Sequence, residues 1–520
     1  MTTDRRHLLQ LACASATTLW LPRSAWAAAR LPAQPFAMGV ASGSPTHDSV
    51  VLWTRLVDGG RPLASGPVTV RWEIADDEAF RRIVRHGQAQ ALPELAHAVH
   101  VEAGGLASDR WYFYRFMTAG AVSATGRTRT FPAPGAAATR LRLAYASCQR
   151  WEHGHYGAWR HMRADEPDAV LFLGDYIYEY PGASDAVRKV RGGWTVTLDD
   201  YRARYATYRS DPHLQAMHAA CPWLLTWDDH EVQNDQAGRT PGNSGPDGVD
   251  YAARRIAAYQ AYYEHLPLRS SVLTRAVAGL ASGAELRLYA SVRFGTLAAL
   301  HLLDDRQYRD PQACTPGGRF GAGVVDTAQC ATWNDPARTL LGAAQERWID
   351  ARLAESGATW NVIGQQTLFG RRDFAAGRRE LLTNDGWDGY PAARGRMLAS
   401  LQRHATANPV ILGGDIHQNW VGHVKADYAR PDSRALGVEF CGTSVSSRAG
   451  TNEKLPQRLA ANPHFVFADA ERRGYGLVDF TPRGLLTTLR TVDDVTREDS
   501  GISTLARFAV QAGRPVIEAA

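Results

Sequence analysis

From about Pro35 to Pro134 apolar and polar positions alternate in short runs, VVLWTRL, VTVRWEIA, HAVHVEAG and WYFYRFMTA, separated by Gly, Pro and Asp turns. A period of two interrupted by turn residues is the pattern of a small β-sandwich, so residues 35–134 are expected to form an N-terminal all-β domain of immunoglobulin or fibronectin type. FPAPGAAATR, Phe131 to Arg140, reads as a linker. Beyond Leu141 the period changes. Apolar runs alternate with amphipathic stretches such as YGAWRHMRAD and DYAARRIAAYQAYYEHL, which predicts an α/β domain over residues 141–500 with 501–520 as a C-terminal tail. VEFCGTSVSS, YGLVDF and GLLTTLRTV add late strands, the last two joined by a Thr-Pro-Arg-Gly turn.

Six apolar runs of the second domain end in polar residues capable of chemistry. LRLAYAS leads to Cys148, AVLFLG to Asp175, and WLLTW to Asp228-Asp229-His230; LAALHLL leads to Asp304-Asp305-Arg306, WNVIG to Gln365-Gln366, and PVILGG to Asp415-Ile416-His417. Open α/β sheets bind ligands at the carboxyl ends of their strands. Any one such end is an ordinary turn or helix cap, but six converging on one crevice bring together carboxylates that repel one another. A bound cation is the simplest remedy. Aspartate and phenol oxygens suit hard cations, imidazole suits transition metals, and thiolate suits iron or zinc, so the mixture predicts more than one kind of metal. Two metals sharing a carboxylate can hold a phosphate ester and activate water near neutral pH.

The first residues, MTTDRRHLLQLACASATTLWLPRSAWAAAR, carry a paired Arg5-Arg6, a short apolar stretch and a small-x-small site at Ala25-Trp26-Ala27. This predicts an export signal over residues 1–27, of the twin-arginine (Tat) type that hands folded protein to its machinery. A Sec signal with two arginines and a retained anchor are the alternatives; no later segment reads as a span. Loss of residues 1–27 lowers the formal charge from +5 to +3. Basic residues are scattered, which argues against nucleic acid as a dedicated partner. Five cysteines then remain; Cys314 and Cys330, bracketing a Gly-rich loop, are the expected disulfide in an oxidising compartment, with one further thiol left unpaired.

ASCQ, LGDYIYEY, TWDDHEVQND, LLDDRQYRD and LGGDIHQNW, in this order, resemble the motifs of the PhoD-like alkaline phosphatases and phosphodiesterases, within the calcineurin-like metallophosphoesterases and akin to purple acid phosphatases. The resemblance covers nearly the whole chain. It implies a metallophosphoesterase sandwich, two β-sheets flanked by helices, and a centre of Fe3+ and Ca2+. Asp175 would be the bridging carboxylate and Tyr178 a phenolate ligand of iron, completed by Cys148 and His417. Asp229, where relatives carry Asn, and Asp415, where they often carry His, would serve the second metal, and carboxylates there favour calcium over zinc.

His230 is then suited to contacting phosphate or protonating the leaving oxygen, against a purely structural or capping role. Arg306 is suited to gripping phosphate bidentately, against a salt bridge within its own loop. Asp228, Asn234 and Asp235 are open between supporting groups and further ligands. Gln365, Gln366, Trp387 and Asp388 are open between shaping the pocket and loop structure. Val445–Ser447 lacks the glycines of a nucleophile elbow.

The expected activity is hydrolysis of phosphate esters by metal-activated hydroxide outside the cytoplasm, periplasmic or secreted. Monoesters and diesters of phospholipid or teichoic-acid type are both admissible, and the resemblance implies an alkaline optimum. The alternatives are a phospholipase D-type diesterase, a ferric-tyrosinate redox enzyme and a non-catalytic binding protein.

Overall fold

The computed structural model describes residues 31–64, 66–273, 285–315, 320–375, 377 and 379–520. The expected export signal at residues 1–27 lies outside them. Among the described residues no helix is long and apolar enough to cross a membrane.

Two large sheets stack face to face. In the first, ten-stranded, the strands Leu141–Ala146, Ala169–Phe172 and Trp223–Leu225 run parallel at the centre. In the second, seven-stranded, Ala298–Leu302, Trp360–Gly364, Pro409–Gly413 and Ala435–Cys441 are parallel neighbours. These runs are mostly apolar and nearly all buried because both of their faces are covered. Successive side chains point to opposite faces. Leu171, Val362, Val410 and Phe440 meet in the layer between the sheets. Phe172 and Val170 pack outward with Trp159, Tyr205 and Tyr262 of the helices Gly157–Ala164, Leu198–Arg209 and Tyr251–His265. On the other side Ile363 and Ile411 pack with Ile349, Met397 and Leu401 of the helices Gly342–Ala354 and Pro391–Arg403. The result is the expected sandwich of two sheets flanked by helices. Parallel strands from both sheets deliver their carboxyl ends to one crevice, where a bridge between Ser147 and Ser444 ties the sheets together.

The N-terminal β-sandwich is present, with one difference. Its outer sheet is built on Val68–Ala75, Ile83–Ala91 and Trp111–Thr118, and its core holds Leu52, Val70, Ile74, Tyr114 and Phe116. Its other face, Val40–Gly43, Val50–Arg55 and Ala98–Ala103, is the continuation of the ten-stranded sheet, joined where Gly43 pairs with Trp223. Residues 501–520 are not a tail. The strands Ile502–Gln511 and Arg514–Ala519 form a hairpin about Gly513 (φ +82°) at the other edge of the same sheet, and Phe508 and Val510 enter the inter-sheet core. The alternation there is weak because an edge hairpin buries only part of one face.

Candidate metal centre

Cys148, Asp175, Asp228 to His230, Asp415 and His417 each lie just beyond the end of a parallel strand. Four of them sit in left-handed backbone: Cys148 (φ 61°), Asp175 (56°), Asp415 (64°) and His417 (56°). Such conformations cost about 1–3 kcal/mol each in non-glycine residues and persist where the surroundings enforce them. Glu231 supplies one such constraint, accepting the backbone N–H groups of Asp175 (3.1 Å), Tyr176 (2.5 Å) and Asp228 (2.8 Å), so one buried carboxylate fixes two strand ends. Gly174 (φ +105°) makes the approach possible, since a Cβ there would meet the Asp228 nitrogen at 2.4 Å.

The donor atoms form two sets joined by a third. Those of Cys148, Asp175 and His417 lie within 4.8 Å of one another, as do those of Asp228, Asp229 and Asp415; a third set of Asp175, Asp229 and His230 links the two. Tyr178 belongs to the first. Its hydroxyl donates to Asp175 Oδ2 at 2.8 Å, lies 3.1 Å from His417 Nε2 and accepts from Ser447 Oγ at 2.8 Å. His417 Nδ1 lies 2.8 Å from the Arg448 carbonyl, where only an N–H can bond, leaving Nε2 as the lone-pair nitrogen.

This arrangement fits bound cations. Asp175 Oδ1, Asp228 Oδ2 and Asp229 Oδ1 are buried without a hydrogen-bond partner. Burial holds the Asp175 and Asp415 carboxyls well above the ordinary range, with neighbouring carboxylates adding to it. Burial and then Asp175 raise the Cys148 thiol and the Tyr178 phenol in the same way, and burial keeps His417 neutral by pushing it down to about 3. Unpaired acids of this kind are costly alone and become ligands beside a cation. Thiol, phenol, imidazole and carboxylate together favour a transition metal at the first set, and the all-carboxylate second set favours a hard cation.

The two groups expected to act on substrate differ. His230 lies in the linking set. Its Nδ1 is 2.6 Å from Glu179 Oε2, and its ring packs against Tyr178 and Tyr180 at 4.1 and 5.2 Å. Burial lowers its pKa, but Glu179, then Asp175 and Asp229, raise it well above the ordinary value. Arg306, in contrast, is fully buried with no face for phosphate. Its guanidinium donates to Asp228, to Asp385 Oδ2 at 2.7 Å and to Asp415 Oδ1 at 3.0 Å, rather than pairing with Asp304 or Asp305. It holds carboxylates of the second set in place.

Several supporting residues lacked a legible sign. Glu179 lies within LGDYIYEY but among tyrosines that mask it, and Ser447 and Asp385 fall in segments without a motif. Asn234 donates its backbone N–H to Glu179 Oε1 (2.8 Å), and Asp235 donates its own to Asp229 Oδ2 (2.6 Å). Gln366 donates to the Trp227 carbonyl at 2.6 Å, Gln365 accepts from Trp387 Nε1 at 3.0 Å, and Asp388 pairs with Arg394 at 2.6 Å. Cys314 and Cys330 form the expected disulfide. Three thiols rather than one stay free, because Cys148, Cys221 and Cys441 are each buried in separate surroundings. Ala322 to Val324 of the disulfide-closed loop line a cleft of about 280 Å³ that reaches Asp385 and Asp415.

Asp305 gives a test of the electrostatics. Both carboxyl oxygens are buried and unpartnered, and burial pushes its pKa up to about 8. The fold prefers the protonated form, so this stabilisation is complete below about pH 4 and is lost as pH rises to about 8. In metal-free protein, Asp305→Asn is expected to gain on the order of a few kcal/mol over the wild type at pH 8 and little at pH 4. Urea unfolding at the two pH values checks this; a gap independent of pH would contradict it.

The sequence model for "PhoD-like phosphatase" matches residues 143–489, and that for "PhoD-like phosphatase, N-terminal domain" matches residues 23–132. Alkaline phosphatase D of Bacillus subtilis (strain 168) is 43 % identical over 499 residues, 93 % of this chain and 82 % of the relative. A solved structure titled "Structure of PhoD" superposes with a TM-score of 0.87 at 41 % identity, covering 94 % of this chain and 93 % of the other.

Proposed function

Since this chain belongs to the PhoD-like phosphatases and is a phosphoric ester hydrolase, we propose that it acts through Fe3+ held by Cys148, Asp175, Tyr178 and His417 and Ca2+ held by Asp229 and Asp415. Asp175 would be shared by both sites, and Asp228 would be available as a further oxygen donor. The observation that carries this reading is the set of unpartnered buried carboxylate oxygens on Asp175, Asp228 and Asp229 beside a buried thiol and phenol. Bound cations supply charge neutralisation for the transferring phosphoryl group and activation of water.

The protein's own groups do the rest. His230 holds a proton on Nδ1 against Glu179 and presents Nε2 to the crevice, where it donates a proton to the departing alcohol oxygen. Arg306 acts by position, fixing Asp228, Asp385 and Asp415. The site takes monoesters and diesters of extracellular phosphate compounds, phospholipid or teichoic-acid diesters among them. Periplasmic or secreted location after Tat-type export is supported by Arg5-Arg6 and by the disulfide, which an oxidising compartment permits.

Turnover of p-nitrophenyl phosphate, bis-p-nitrophenyl phosphate and phosphatidylcholine by natively exported protein tests the reading. Hydrolysis of either nitrophenyl ester, abolished by chelation, is expected. Phosphatidylcholine as the sole substrate would make it a phospholipase D-type diesterase, and no turnover of any ester would overturn the proposal.

A further inference from the structure

The cleft beside the metal centre contains a cation that the mechanism leaves unused. Arg372 is 6 % exposed and lines the same cleft as Asp385 and Asp415. Its backbone N–H donates to Asp388 Oδ2 at 3.0 Å. Its guanidinium makes no hydrogen bond or ion pair among the described residues, and Nε is buried without a partner. Nearby carboxylates are taken: Asp388 Oδ1 pairs with Arg394 and Asp415 Oδ1 with Arg306. The guanidinium carbon lies 4.7 Å from the centroid of the Phe374 ring and 5.4 Å from that of Trp420.

Those rings hold the guanidinium in place without satisfying its N–H groups. A buried, unpaired charge is expensive, and an apolar side chain would fill the same space at less cost. Burial accordingly lowers its pKa, with Asp388 opposing. A planar donor fork held this way is prepared for an oxyanion, which it can grip bidentately. Arg306 cannot serve this purpose, being saturated by carboxylates. Arg372 shares the cleft of Asp415 and Asp385 and forms no ion pair with either among the described residues, so neither carboxylate occupies its donor fork. Ile416, Leu368 and Trp387 line the same cleft and offer apolar surface for the organic part of a substrate.

Resting on the ester-hydrolase reading above, we propose that Arg372 is a specificity-determining residue that binds an anionic group of the substrate other than the phosphate being cleaved. The esters favoured are those whose alcohol or second ester arm carries a carboxylate or phosphate within reach of the cleft.

The test is calorimetric titration of the metal-loaded enzyme with ω-carboxyalkylphosphonates of three to six carbons and with alkylphosphonates of matching length. These do not turn over, so the result is independent of whether esters are hydrolysed. At the best length the wild type is expected to bind the carboxylated ligand about 10- to 100-fold more tightly than its plain counterpart, the range of a charge-assisted pair. Arg372→Gln is expected to erase that ratio, and Arg372→Lys, keeping charge without the fork, to retain part of it. A wild-type ratio near one at every length would overturn the proposal. So would an Arg372→Gln variant that weakens both ligands equally, which is the behaviour of a group on the reacting phosphate or of a structural one. Failure of the function itself would appear instead as absent ester turnover in the presence of this binding preference.

Discussion

Asp175→Asn is expected to lose nearly all phosphatase activity, by more than the roughly 10- to 100-fold that removal of an outer supporting group costs a metal site. It is the one residue common to the first and linking donor sets, and in the proposed centre it would be shared by both metals. The substitution keeps the shape and the contact with Tyr178 but removes the charge. Its effect on stability has the opposite sign in the two states of the protein. Without metal, Asp175 is a buried carboxyl surrounded by Asp228, Asp229 and Glu231, and the amide relieves that repulsion, so the variant's melting temperature should equal or exceed the wild type's. With metal, the wild type gains binding free energy of about RT ln(1 + [L]/Kd), which the variant forfeits. Melting curves with and without chelator, alongside activity, separate this from misfolding. A variant that melts lower in both states would indicate a merely structural aspartate.

The second large effect concerns His230. As proton donor to the departing alcohol it should contribute about 10²- to 10⁴-fold in kcat, but only where the alcohol needs that proton. His230→Ala is therefore expected to cripple hydrolysis of alkyl phosphates and to spare p-nitrophenyl esters, whose phenolate leaves unaided. Glu179→Gln tests the same idea through pH. Burial opposes the charge on His230 and Glu179 leads the groups that restore it. Removing the Glu179 charge lets the imidazolium lose its proton at lower pH, so the alkaline limb of the rate profile on alkyl esters should move towards neutrality. Equal losses on both ester types for His230→Ala, or an unmoved limb for Glu179→Gln, would assign the histidine to structure.

The centre was legible because its chemistry lies at strand ends that apolar runs announce. LGDYIYEY, TWDDHEVQND and LGGDIHQNW each place the candidate donors directly after a parallel strand, and the fold makes those ends converge. What the runs do not announce is how the donors are held. Glu231 works through the backbone N–H groups of Asp175 and Tyr176, 56 and 55 residues earlier in the chain, and no local pattern encodes such a bond. Arg306 has a composition suited to phosphate, and only burial reveals that Asp228, Asp385 and Asp415 have claimed it. The boundaries were least legible where strands pair at long range. Val40–Gly43 joins the central sheet through a single partner, Trp223, and the final hairpin docks at its far edge. Both look separate in the sequence because sheet pairing does not respect the punctuation of turns and prolines.

The central claim is a mixed iron and calcium centre built on Asp175 and Tyr178, and metal analysis of natively exported protein, read with its visible spectrum, tests it most directly. The expected result is both metals in stoichiometric amounts and a ferric charge-transfer band that Tyr178→Phe removes together with most of the activity. Iron without calcium, or a band and an activity that survive Tyr178→Phe, would contradict it.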